Sequence, residues 1–83
     1  MKRPIPFAVF KHAKEAATAG RPWSLIIILD ESVYIEVTAK TSASFAKLLD
    51  KWKAETLPTL RRSSVRYFLH APTTELTETT FRK

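Results

Sequence analysis

The 83-residue chain has no cysteine, one glycine and one methionine, and its 8 acids are outnumbered by 14 lysines and arginines. Without cysteine there is no disulfide framework, no thiolate zinc site and no cysteine nucleophile, so an apolar core must hold the fold unaided. One glycine cannot furnish a phosphate loop, a dinucleotide-binding fingerprint or a nucleophile elbow, each of which needs two or more. Long apolar runs are missing too. The longest, Leu25 to Leu29, is far short of the roughly 18 residues of a membrane span. The apolar stretch after Met1-Lys2-Arg3 stops at Lys11, too early for a typical signal peptide. These absences predict a cytoplasmic protein with no membrane partner.

The residues that are present divide into recognisable elements. Phe7 to Ala19 are good helix formers, with Pro6 suited to a helix start and Gly20-Arg21-Pro22 to a helix stop; Phe10, Ala13, Ala17 and Gly20 fall on one face. Trp23 to Leu29 and Ser32 to Ala39 read as two strands of a hairpin turning at Asp30-Glu31. A two-residue turn pairs Ile28 with Val33, Ile26 with Ile35 and Ser24 with Val37 on one face. The other face then pairs Ile27 with Tyr34, Leu25 with Glu36 and Trp23 with Thr38. Ser42 or Ser44 can cap a second helix, whose Phe45, Leu48, Leu49 and Trp52 form an apolar stripe. Val65 to His70 alternates as a third strand, apolar on one face and carrying Arg66, Phe68 and His70 on the other.

The expected fold is therefore a single small α+β domain over residues 1–72, ordered helix, strand, strand, helix, strand. Its three-stranded, mainly antiparallel sheet is packed by two helices. Residues 73–83 read as a polar, Thr-rich tail, partly disordered or forming an edge strand anchored by Leu76 and Phe81. Trp23, Leu25 and Ile27 fall opposite the main core face, so the sheet needs a helix on each side or a second subunit, which makes a homodimer one expectation.

The excess of cations points to polyanions. A net charge of +6 on a 9.5 kDa chain attracts phosphates and releases their counterions, the physical basis of nucleic-acid binding. Lys47, Lys51 and Lys53 project from the second helix away from its apolar stripe, and Arg61 and Arg62 sit in a basic loop beside Ser63 and Ser64. Arginine forks and serine hydroxyls both suit phosphate oxygens. Arg66 and Phe68 share a strand face, where an aromatic ring beside a cation could stack an unpaired base.

Known nucleic-acid modules do not fit: a KH loop and the RNA-recognition signature need more glycine, and zinc fingers need cysteine. Catalysis has little to build on. His12 and His70 lie in different elements, and Asp30, Glu31 and Glu36 are too few for a metal site unaided, so no cofactor, metal or catalytic residue is expected.

Two function classes follow. One is a small basic non-catalytic accessory protein that binds nucleic acid mainly through phosphate contacts of Lys47, Lys51, Lys53, Arg61, Arg62 and Arg66, with Phe68 as a stacking surface. The other is a compact inhibitor or adaptor, by analogy with small virus and plasmid products, that docks on an acidic protein surface through Trp23, Leu25, Ile27 and Tyr34.

Overall fold

A computed structural model describes residues 4–60, 64–72 and 74–81. Helix α1 (Phe7–Thr18) follows Pro6 as predicted and ends where the sequence places its stop. Gly20 adopts φ +86, and the amides of Gly20 and Arg21 donate to the carbonyls of Ala17 and Ala16 at 3.0 and 2.9 Å, a Schellman closure of the helix. The buried face is Val9, Ala13 and Ala16, one step round from the expected Phe10–Ala13–Ala17 stripe, and Phe10 is 47% exposed. Small side chains on the helix bring its backbone close to the sheet, where Ile26 and Phe68 supply the bulk.

Strands β1 (Trp23–Leu29) and β2 (Ser32–Ala39) form the expected hairpin. Asp30 and Glu31 both take positive φ, 49 and 72, the mirror-image turn whose twist matches that of the strands. Glycine normally fills such positions; here two acidic residues accept a backbone cost of about 1 kcal/mol each. The predicted pairs Ile28–Val33, Ile27–Tyr34 and Ile26–Ile35 are present, but the register then shifts so that Leu25 faces Val37 and Trp23 faces Ala39. The expected pairs Ser24–Val37, Leu25–Glu36 and Trp23–Thr38 are thereby corrected. Glu36 is the extra residue of the bulge, and the slip turns Val37 and Ala39 onto the face of Leu25 and Ile27, where all four are buried.

Helix α2 (Ser42–Glu55) is capped by neither Ser42 nor Ser44, the two predicted caps, but by Thr41, whose hydroxyl accepts from the Ser44 amide at 3.2 Å. A 3-10 turn (Leu57–Leu60) follows, then β3 (Val65–Ala71) and β4 (Thr74–Thr79). The sheet has four strands, not three, in the order β2-β1-β3-β4, antiparallel throughout, and the chain order is α-β-β-α-β-β. The segment read as a tail supplies the fourth strand: Leu76 packs against the α1 side and Phe81 against the α2 side.

The two helices cover opposite faces of one sheet. Leu25, Ile27, Phe45 and Trp52 form the α2-side core; Val9, Ala13, Ile26 and Phe68 form the α1-side core. Of the two ways to cover the second apolar face, a helix on each side is the one present. Among the described residues, no helix is long and apolar enough to cross a membrane.

Candidate nucleic-acid interface

Arg66 is the most tightly held cation of the described chain. Strand alternation sets it on the α1 side of β3, and the β3–β4 register puts Glu78 within reach. Its Nε donates to Glu78 Oε2 at 2.9 Å and its Nη2 to Glu78 Oε1 at 2.7 Å, a two-pronged pair. Nη2 also donates to the Pro4 carbonyl at 3.4 Å, and the guanidinium lies 5.1 Å from the Phe68 ring centre. The hydrogen bond to Glu78 holds the guanidinium above its ordinary pKa. Arg66 is therefore committed to an internal carboxylate, and a phosphate would have to displace Glu78 to reach it.

Phe68 shares the face of Arg66 and His70, as alternation predicts, but it is 0% exposed beneath Val9 and Ala13. No base can stack on it, which corrects its assignment as a stacking surface. The proposed docking anchors are corrected in the same way. Leu25 and Ile27 are buried under α2, and Trp23 packs on Phe45 with ring centres 5.9 Å apart. Trp23 stays half-buried and Tyr34 is 46% exposed.

The three lysines of α2 are exposed but do not share one face. Lys47 and Lys51 lie one turn apart and have no carboxylate partner among the described residues, Lys51 lining a groove of about 320 Å³ with Glu36 and Leu48. Lys53 lies on the other flank, 4.0 Å from Asp50 and 5.9 Å from the Phe81 ring centre. Arg61 and Arg62 lie outside the described residues.

Removing Lys2, Arg3, Arg61, Arg62, Arg82 and Lys83 from the inventory leaves eight cations and eight acids, so these six account for the whole net charge. Three described residues near them in the chain, Pro4, Ser64 and Phe81, make contacts at the end of the sheet where β3 begins. Pro4 touches Arg66; the Ser64 carbonyl accepts from the Asp30 amide at 3.5 Å; Phe81 meets Tyr67 with ring centres 5.0 Å apart. That end carries Lys53 and Arg66 together with the exposed acids Asp30 and Glu31, and the six cations themselves lie outside the described residues.

Two interactions fix the local frame. The Trp52 indole donates to Glu36 Oε1 at 2.8 Å, and Trp52, Tyr67 and Phe81 pack edge to face, 5.0 to 5.9 Å between centres. Burial among these rings raises the Tyr67 pKa above its ordinary 10.0. Both imidazoles are occupied by backbone carbonyls, His12 Nδ1 with Ala8 at 2.7 Å and His70 Nδ1 with Pro22 at 3.1 Å. Among the described residues no group of three or more His, Asp or Glu could hold a metal ion. No protein-family model, curated protein or solved structure matches the chain.

Proposed function

We propose that the protein is a small non-catalytic accessory protein that binds nucleic acid through backbone phosphates at the end of the sheet where β3 begins. The observation that supports this reading is that Pro4, Ser64 and Phe81 each make a contact at that end, with Arg66, Asp30 and Tyr67, while the six cations near them in the sequence equal the net charge of +6. Lys53 adds an exposed cation there. A net charge of +6 on a chain of 83 residues attracts a polyanion, and phosphate contacts position it without reading sequence. Substituting Arg61→Gln and Arg62→Gln together should weaken single-stranded and duplex DNA alike and flatten the salt dependence by about one unit of slope per cation. Unchanged affinity and slope in that variant would overturn the reading.

A specific observation favours a second reading, docking on an acidic protein surface. Phe7 is 79% exposed and Phe10 47%, one turn apart on α1 beside the exposed Lys11 and Lys14. These residues replace the buried Leu25 and Ile27 and the half-buried Trp23 as candidate anchors. Phe7→Ser with Phe10→Ser should then abolish capture of the acidic partner while leaving DNA affinity intact; loss of DNA affinity alone would count against it.

A further inference from the structure

Strand β2 lies at one edge of the sheet, and among the described residues no backbone hydrogen bond outside its ladder with β1 involves residues 32–39. In a two-residue hairpin Leu29 and Ser32 form a hydrogen-bonded pair, so hydrogen bonding inward alternates and the N–H and C=O groups of Val33 and Ile35 point out along the free edge. Such a row of unpaired groups is a template for another strand. Three of the five exposed large apolar side chains among the described residues line this edge: Tyr34 at 46%, Ile35 at 37% and Leu48 at 44%. Tyr34 lies on the α2 side and Ile35 on the α1 side, while Leu48 stands on α2 beside Val37 and Thr38.

The charges along the edge are self-complementary. Exposed Asp30 and Glu31 stand at one end of β2 and exposed Lys40 at the other. We propose that a second copy of this chain pairs antiparallel with β2 across a two-fold axis at Tyr34. Val33 then exchanges hydrogen bonds with Ile35 of the second copy, Tyr34 meets its own counterpart at the close position, and the acidic Asp30–Glu31 end of each copy faces the Lys40 end of the other. The two four-stranded sheets join into one of eight strands. The axis runs perpendicular to that sheet, so both α2 helices lie on one face and both α1 helices on the other.

The bulge at Glu36 ends the outward alternation just after Ile35, so the shared ladder is short and association is weak, in the micromolar range rather than nanomolar. This pairing does not depend on nucleic-acid binding.

Sedimentation equilibrium of the full chain up to about 0.5 millimolar should show a concentration-dependent mass rising from 9.5 kDa toward twice that value. Amide exchange at Val33 and Ile35 should slow as concentration rises, a readout that needs no variant. Ile35→Lys, with an unchanged circular dichroism spectrum, should weaken association at least about tenfold, and Lys40→Glu should weaken it less. A single-chain mass throughout, a dimer unaffected by Ile35→Lys, or amides of Val33 and Ile35 indifferent to concentration would each overturn the pairing.

Discussion

The indole of Trp52 donates to the carboxylate of Glu36 at 2.8 Å, joining helix α2 to the bulge of β2. The bulge positions Glu36 as an extra residue, and the partly buried indole needs an acceptor. Glu36→Ala should therefore lower stability by about 1 to 2 kcal/mol, because it leaves a shielded donor unpaired. Glu36→Gln keeps an amide oxygen in place and should cost less. Chemical denaturation of the two variants measures the difference, and equal losses would mean that the hydrogen bond contributes nothing.

Gly20 closes α1 at φ +86, with open space around the position where a Cβ would sit. Gly20→Ala should then lose about 1 kcal/mol through backbone strain alone, without a packing defect. A thermal melt shows this as a lower Tm with an unchanged native spectrum.

Tyr67 gives the fold a weakness to alkali. Its pKa is raised by burial, so the neutral phenol is favoured in the folded state. Its contribution is complete below the ordinary value of 10.0 and declines as pH rises from there toward the higher folded value, because the unfolded chain ionises first. Stability measured from pH 9 upward should fall once pH passes about 10, and Tyr67→Phe should remove part of that fall.

Deleting residues 73–83 should unfold the domain rather than trim it. The deletion removes β4, the Leu76 contact on one face and the Phe81 ring that covers Trp52 and Tyr67 on the other. Loss of two apolar anchors costs several kcal/mol, comparable with the total stability of a domain this size. A truncated chain with a native spectrum and an unchanged melt would contradict this.

The elements of this fold were legible where local chemistry decides them. The Gly20 stop, the turn at Asp30-Glu31 and the alternation of β3 follow from residue type and spacing, as does the α2 stripe at Phe45, Leu49 and Trp52, whereas its fourth member, Leu48, is 44% exposed. The rotation of α1 was not legible, because exposing Phe10 while burying Ala16 depends on bulk supplied by Phe68 from a distant strand. Nor was the bulge, since nothing in the alternation of Ser32 to Ala39 marks Glu36 as an extra residue. For the interface, residue type located the cations but not their partners. Arg66 reads as a free phosphate ligand until Glu78 is brought opposite Phe68 by a strand that composition alone suggests is a tail.

Glu78 offers a way to raise affinity rather than lower it. Glu78→Gln removes the carboxylate that holds Arg66, so it should cost about 1 kcal/mol of stability, modest because the pair is partly solvated, while tightening DNA binding at low salt. Weaker binding in a folded Glu78→Gln variant would show that Arg66 does not contribute to phosphate contacts.

The most direct measurement is fluorescence anisotropy of labelled single-stranded and duplex DNA titrated with the intact protein across a salt series. A patch that neutralises several phosphates predicts an affinity that falls steeply and log-linearly with salt, similar for unrelated sequences, and flattened by Arg61→Gln with Arg62→Gln. No binding at low salt, or an affinity indifferent to ionic strength, would contradict a phosphate interface at the end of the sheet where β3 begins.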